Sequence, residues 1–379
     1  MNTERIIKAV SASSLMAVSL VCASCNSGNT CESLLMDVTE VDYLDKSELE
    51  LEGKEIDIEV FGIDDIMYCD SFLVALTQDP ERLFKVYDMR TCTEVVGFGY
   101  IGRAKNEFTA PDYMNIQYKR DGKTIIPIDD FRSRIIEMDF TSSVQQGKVV
   151  IEQSAPFGFD GTGEGSMSVI DDDLSTLFFA SAPSYDYKLD EWSVPTFSII
   201  SKDETLQIPV FSKLTEANDE SCYTAMYYGI LYKHPTRNLY AYTLGSRDYI
   251  LYFDLDNDKR FGIHQQGAST FDDIYPKYDY EYGRMTFANS LPTNDFIITN
   301  YCGGSFFKED LANGHYYTEL VLFDWDGNYL CGIKIKLNIS RCAYDEVNKI
   351  LYGIDGPQEK VYQFDFSPIV EYINIKNRK

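Results

Sequence analysis

Short apolar, aromatic-rich runs recur along the chain, and five of them close on an aspartate: Leu83 to Asp88, Arg134 to Asp139, Tyr249 to Asp254, Leu320 to Asp324 and Lys360 to Asp365. A sixth copy, Thr196 to Ile200, has Ser201 in the acid position. Runs this short, rich in Val, Ile, Tyr and Phe and bounded by Asp, Asn and Gly, predict β-strands separated by tight turns. The clearest unit spans His234 to Gly262. Asn238-Leu-Tyr-Ala-Tyr-Thr is one strand, Gly245 to Asp248 a turn, Tyr249 to Asp254 a second strand, Leu255 to Asp258 another turn, and Arg260 to Ile263 a third strand. The end of the chain repeats this layout, from Asn348–Tyr352 through Asp355–Gln358 to Val361–Asp365.

Self-similarity at this spacing marks a repeat architecture in which one small sheet is built repeatedly and each copy buries its faces against its neighbours. The steps between successive acids fit four-stranded blades of about 40 to 50 residues, and six blades account for the copies. The predicted fold is therefore all-β: a six-bladed β-propeller of four-stranded antiparallel blades. The strand-like segment Glu55 to Val60 precedes the first full unit and is placed to complete the last blade, closing the ring between N- and C-terminal strands. No apolar pattern of helical period stands out after the first residues, so no helix is expected there.

The N-terminus changes the picture of where the protein works. Arg5 and Lys8 precede an apolar run from Ala9 to Cys22, which reads as a secretion signal. The run is shorter than the roughly 20 apolar residues that cross a bilayer. It ends in Cys22-Ala23-Ser24-Cys25, which resembles the lipobox of bacterial lipoproteins, with Cys22 where that family usually has Leu. The resemblance implies cleavage before Cys25 and lipidation of its thiol. The expected organisation is a signal over residues 1–24, a lipid-anchored tether and lead-in over 25–50, and the propeller over 51–379.

Composition narrows the partners. The formal net charge is −26, which repels nucleic acid and anionic headgroups, so neither is expected as a partner and the membrane is met only through the anchor. Tyr and Phe number 28 and 23 against 2 Trp, a usage suited to strands. Beyond Cys22 and Cys25 stand Cys31, Cys69, Cys92, Cys222, Cys302, Cys331 and Cys342. An odd number cannot all pair; Cys69 with Cys92, or Cys331 with Cys342, are the combinations that neighbouring strands would allow, and burial as free thiols is the alternative.

Val96-Gly-Phe-Gly-Tyr-Ile-Gly-Arg-Ala-Lys-Asn-Glu-Phe-Thr-Ala-Pro111, following directly on the strand Leu83 to Asp88, resembles a segment of the TolB-like six-bladed propeller lipoproteins of Gram-negative bacteria. Glu107-Phe108 match the family's Gly-Pro-Gly-Glu-aromatic run, whereas Ala104-Lys105-Asn106 replace its Gly-Pro-Gly element. The resemblance covers the layout from about Leu51 to Ile373. It implies the propeller and a Gram-negative envelope address, with the membrane and its facing side left open.

In a propeller the turn between the second and third strands and the link to the next blade share one face, around the mouth of the central channel. Long insertions fall on that face here: Ala182 to Pro195, Tyr301 to Thr318, Gln153 to Gly165 and Gln265 to Arg284. Loops of this length in a compact domain commonly carry function. They hold the candidate ligand-binding residues Tyr185, Tyr187, Trp192, Tyr278, Tyr280, Tyr282, Arg284, Phe306 and His315, with Arg103 and Glu107 in the first link between blades. Flat rings with polar tips suit a sugar face or an extended peptide; equally, such rings serve as small cores for the loops. Arg103 and Glu107 read as channel-mouth charges or as a surface ion pair.

Other chemistry finds little support. Asp254-Leu-Asp-Asn-Asp258 has the look of a calcium loop, but Lys259 stands where the turn needs Gly and Gln265 where a bidentate Glu belongs. It reads as a turn, and no metal or other cofactor is expected. Gly161 to Gly165 lacks the Lys and helix of a phosphate loop, and no Gly-x-Ser-x-Gly elbow occurs. The expected function is that of a membrane-anchored extracytoplasmic propeller binding a glycan, peptide or envelope protein through the long-loop face, without catalysis. The alternative is a polysaccharide-acting hydrolase or lyase with two carboxylates at the channel mouth.

Overall fold

The computed structural model describes residues 34–376 apart from 44–46, 59–61, 115, 131–133, 157–164, 172, 182–183, 187–190, 213–226, 269, 271–285, 303–317 and 357–358. Six antiparallel sheets form a six-bladed β-propeller. Strands are lettered a to d from the channel outward. Blade 1 runs Ile63–Cys69, Phe72–Thr77, Phe84–Asp88 and Thr93–Phe98. In blade 2 strand a is broken into Pro111–Tyr113 and Tyr118–Arg120, both pairing Lys123–Asp130, followed by Arg134–Asp139 and Ile151–Pro156. Blade 3 holds Gly165–Val169, Thr176–Ser181, Phe197–Ser201 and Thr205–Ile208. Blade 4 holds Gly229–Lys233, Leu239–Leu244, Tyr249–Asp254 and Lys259–Gln265. Blade 5 holds Phe287–Pro292, Phe296–Tyr301, Thr318–Asp324 and Tyr329–Ile335, and blade 6 Ile339–Asp345, Ile350–Asp355 and Lys360–Asp365.

The strands read as continuous apolar runs because both faces of each blade are buried. Alternate residues of Tyr249–Asp254 serve different seams: Tyr249, Leu251 and Phe253 join the cluster between blades 3 and 4, while Ile250 and Tyr252 join the one between blades 4 and 5. Each of the six blade junctions carries such a cluster. The blade 3–4 seam is rich in aromatic rings, with Phe197 stacked on Phe253 at 4.8 Å and Phe178 edge-on to Tyr240 at 4.9 Å.

The expected closure is present in a shorter form: Lys54–Ile56 pairs antiparallel with Lys360–Asp365 as strand d of blade 6. The chain before it does more than lead in. Val38–Val41 adds a fifth, parallel strand to blade 4, and Ser47–Leu51 does the same for blade 5. Between them Tyr43, 1% exposed, wedges into the seam of blades 4 and 5, edge-on to Phe323 and Tyr301 at 5.2 and 5.7 Å. The outer edges of these two blades are thereby covered, which removes a row of unpaired backbone groups.

Every strand c closes on its acid, or on Ser201, at the end opposite the long loops. Asp254 Oδ1 accepts the N–H groups of Asp256 and Asn257, and Asp324 Oδ1 those of Asp326 and Asn328. Ser201 Oγ accepts from Glu204 N at 3.2 Å, the weaker version expected of a hydroxyl. Two of the six open helices instead of hairpins. Asp139 caps the helix Phe140–Gln146 by accepting from Ser142 N, and Asp365 accepts from Ser367 N at the start of Ser367–Lys376. Both helices contradict the all-strand expectation. The first is too short to show a helical period, and the second buries only Ile369 and Ile373, one turn apart. Because the chain leaves blade 6 as this helix, strand d there has to come from the N-terminus.

Neither disulfide combination forms: none of Cys69, Cys92, Cys331 and Cys342 is in a disulfide. Cys69 packs into the seam of blades 1 and 2 while Cys92 packs against that of blades 6 and 1, so they lie on opposite faces of one sheet. Cys31 and Cys222, like Cys25 and the whole signal, lie outside the described residues. Among the described residues no helix is long and apolar enough to cross a membrane.

Candidate functional site at the channel mouth

Strands a and c begin at one end of the ring, where the turns between strands b and c and the links between blades gather. The four long insertions leave from this end, as the flanking strands fix: residues 182–196 between strands b and c of blade 3, 302–317 in the same place in blade 5, and 157–164 and 266–286 as links into blades 3 and 5. Within the first, Ser184–Asp186 and Glu191–Ser193 form a two-stranded ribbon that sets Tyr185 directly opposite Trp192. Tyr187, Tyr278, Tyr280, Tyr282, Arg284, Phe306 and His315 lie outside the described residues. Arg103 is exposed in the first link between blades. Glu107 folds back into its own loop, where its carboxylate accepts from Ala104 N at 2.8 Å, and no ion pair to Arg103 is found among the described residues.

The same end carries a cluster that the sequence reading passed over. The heads of the inner strands bring together Asp64 and Asp65 from blade 1, Asp112 from blade 2, Asn289 and Ser290 from blade 5, and Ser340 and Arg341 from blade 6. Polar side chains stitch these strands across the seams. Arg341 Nε donates to Asp64 O at 3.1 Å, Asn289 Nδ2 to Ser340 O at 2.9 Å, Asn300 Nδ2 to Ile339 O at 3.0 Å, and Ser290 N to the Tyr232 hydroxyl at 2.9 Å. Asp65, Asn289, Ser290, Asn300, Ser340 and Arg341 line a cavity of about 30 Å³, room for about one water. Ser290 is 7% exposed and its hydroxyl has no partner.

The electrostatics are unusual for so acidic a surface. Asp65, with a side chain only 17% exposed, is pushed up to about 7. Burial is the main cause, and the charges of Asp112 and Asp64 add to it. Arg341, with Nε 3.8 Å from Asp65 Oδ1, and the Ile66 N–H only partly oppose the shift. Asp112 is raised as well, again chiefly by burial, with the Tyr113 N–H and Arg341 opposing. Asp112 is exposed at the head of its strand, yet the protein packed around it still costs its carboxylate part of its solvation. It makes no ion pair among the described residues. A carboxylate with a value near neutrality at the mouth of a channel is the kind of group found in binding and catalytic sites.

One sequence signal for this cluster did exist: five of the six inner strands carry polar residues near their heads, at Asp64, Asp65, Asp112, Ser166, Asn289, Ser290, Ser340 and Arg341, whereas blade 4 has Ile230 and Leu231 there. The strand boundaries needed for that alignment come only from the sheet pairing. Among the described residues no group of three or more His, Cys, Asp or Glu is arranged to hold a metal ion. In the turn Asp254–Asp258, Asp254 is bonded to its own backbone and Asp256 accepts from Asn238 Nδ2 at 3.0 Å.

Solved structures of similar fold exist. A member of the DUF4221 family from Bacteroides vulgatus superposes with a TM-score of 0.52 at 11% identity, over 84% of this chain and 98% of that one. A candidate exported protein from Bacteroides fragilis gives 0.47 at 11% identity, over 86% and 98%. At such identities the likeness is one of fold. No protein-family model matches the chain, and a search of curated proteins found no match.

Proposed function

We propose that this is a lipid-anchored, extracytoplasmic propeller, similar in layout to the TolB-like lipoproteins of the Gram-negative envelope, that captures a glycan, peptide or envelope protein on its long-loop face. One observation carries the reading: the four long insertions and the polar inner-strand heads share one end of the ring. A rigid six-bladed scaffold with irregular loops at one end is a common arrangement for recognition. The secretion signal and Cys25 supply the address and the anchor.

A binding screen of glycans and peptides against the mature chain tests it. Tyr185→Ala with Trp192→Ala, and separately Tyr278→Ala with Tyr280→Ala and Tyr282→Ala, should each weaken binding by about tenfold or more if the rings form the platform. Undiminished binding in both sets would remove it.

A second reading, a polysaccharide hydrolase or lyase, is favoured by one observation: Asp65 holds its proton to about 7 beside a second raised carboxylate, Asp112. Such a pair suits an acid and a base. The cavity at Asp65 takes a water but not a sugar ring, which favours the binding reading. Polysaccharide turnover that Asp65→Asn and Asp112→Asn both abolish would reverse that preference.

A further inference from the structure

The link from blade 1 to blade 2, residues 99–110, lies wholly within the described residues and is pinned from beneath. Phe108 is buried in the seam of the two blades, edge-on to Phe84 at 5.3 Å. Asp130, fully buried at the end of strand b in blade 2, accepts from Thr109 N and Ala110 N at 2.6 and 3.1 Å. Arg134 pairs with Asp130 through Nε and donates from its other nitrogens to the Lys105 and Glu107 carbonyls. Inside the loop Gly102 N donates to Phe108 O and Phe108 N to Tyr100 O, at 2.8 and 2.9 Å, while the Glu107 carboxylate is turned inward onto Ala104 N. A loop held in this way presents a fixed outer surface. Tyr100 and Ile101 stand on it, 54% and 47% exposed. Arg103 and Lys105 are exposed beside them, and neither side chain has an ion pair among the described residues.

A single exposed ring or aliphatic chain means little, so its neighbours decide. In the adjoining turn, whose Pro80 O accepts from Ile101 N at 2.9 Å, Asp79 lies 4.0 Å from both Arg82 and Lys85, and Glu94 of strand d pairs with Arg82 at 2.6 Å. Glu81 is the exposed carboxylate of that turn. At the opposite end of the ring Val347 is 89% exposed, but it follows Asp345 and Glu346. Apolar exposure therefore occurs at both ends, and on this link it is flanked by two uncommitted cations. Tyr beside Lys and Arg is the chemistry that suits a phospholipid headgroup layer.

The route of the chain brings a bilayer to the same end. Leu34 bridges to Phe211, which packs edge-on to Tyr227 at 5.0 Å and against Phe197. Phe197 opens strand c of blade 3 and Tyr227 precedes strand a of blade 4, so Leu34 lies at the long-loop end. Cys25 stands nine residues before it, within about 30 Å even along a fully extended chain.

We propose that the link Tyr100–Lys105 docks on the bilayer in which Cys25 is anchored, with Tyr100 and Ile101 entering the headgroup layer and Arg103 and Lys105 meeting lipid phosphates, so that the long-loop face looks toward that membrane. The inference rests on the anchored reading above and deepens it, because the ligand is then met at the membrane surface. It departs from the expectation that the membrane is met through the anchor alone. Two side chains and two cations make a weak contact by themselves, but the anchor makes it intramolecular, and a weak contact then suffices to orient the molecule. The net charge of −26 repels an anionic bilayer from the rest of the surface, which keeps the contact local.

The test places the lipidated mature chain in vesicles of about three parts phosphatidylethanolamine to one of phosphatidylglycerol, with brominated acyl chains that quench nearby indoles. Trp192→Phe provides the background, leaving Trp325, buried at the opposite end, as the other native indole. Emission from Ile101→Trp should fall by about half or more, and that from Val347→Trp by less than about a tenth. Arg103→Glu with Lys105→Glu, or phosphatidylcholine in place of phosphatidylglycerol, should each cut the Ile101→Trp quenching at least about twofold; thermal melting confirms that the variants fold. Equal quenching at the two positions, stronger quenching at Val347→Trp, or Ile101→Trp quenching that ignores both changes of charge would overturn the docking. Vesicle flotation separates this result from the anchor. A chain that fails to float, as Cys25→Ser should, would overturn the anchored reading and the docking together, whereas one that floats without Ile101→Trp quenching would overturn the docking alone.

Discussion

At the closing end of strand c, Asp88, Asp139 and Asp365 receive donors from the backbone that follows them; at the other end of the ring, Asp65 and Asp112 face a channel with too few. The same side chain is driven in opposite directions by this difference. Arg90, through its side chain and then its N–H, holds Asp88 down at about 2. The N–H and then the hydroxyl of Ser367 lower Asp365. Burial pushes Asp139 up, but hydrogen bonds from Lys123 and Ser142 outweigh it. Asp65 has a single N–H donor, from Ile66, and burial wins. The acids that repeat along the sequence are turn and helix caps, whereas the acids that do not repeat are the ones left unsettled. In a repeat fold, regularity reports what every blade needs, and function resides where one blade departs from the others.

The contrast has a pH signature of opposite sign. Asp88, Asp139 and Asp365 have folded values below the ordinary carboxylate range, so their contribution is complete above about pH 4 and disappears as the pH falls through the folded value. Asp65 is the reverse. Between about pH 4 and 7 the folded protein keeps a proton that the unfolded chain has lost, so Asp65 ionises at the expense of stability as the pH rises through that window.

The largest expected effect is therefore a gain. Asp65→Asn should stabilise the protein at about pH 8 by up to about 4 kcal/mol, the equivalent of a shift of about three pH units, and by nothing near pH 4. Denaturant unfolding at the two pH values decides it, and an equal gain at both would erase the contrast. Next comes Asp139→Ala, which removes a fully buried cap together with its 2.8 Å pair to Lys123; unfolding should show a loss of about 2–3 kcal/mol. Asp254→Ala, which strips a hairpin of two N–H acceptor contacts, should cost about 1 kcal/mol. The smallest change sharpens the rule: Ser201→Asp installs the acid that the other five copies carry and should add a few tenths of a kcal/mol, and a clear loss would show that blade 3 is built differently at this turn.

Much of this was legible in the order of residues. Strands such as Tyr249–Asp254 lie where their apolar runs predict, the six acid positions count the blades, and the closing strand starts within one residue of the expected Glu55 but ends at Ile56, four residues before Val60. The two helices were not legible, because the helix Phe140–Gln146 buries only Phe140 and Ser143 and so leaves no stripe. Nor was the belt Val38–Leu51, whose parallel pairing joins residues far apart in the chain. The insertions were visible as long, aromatic segments. The acid cluster could not be picked out among 60 Asp and Glu without the strand boundaries that align the inner-strand heads.

What the sequence determined by itself is the local and periodic part: strand length, turn chemistry, blade number, and the end of each blade from which the long loops leave. These follow from interactions between residues close in the chain, repeated often enough to be read as a pattern. Only the tertiary structure decided which acids matter. Asp65, Asp112 and Arg341 come from three blades, and Asn289 and Ser290 from a fourth. Their mutual approach, and the burial that moves Asp65 toward neutrality, arise solely from closing the ring.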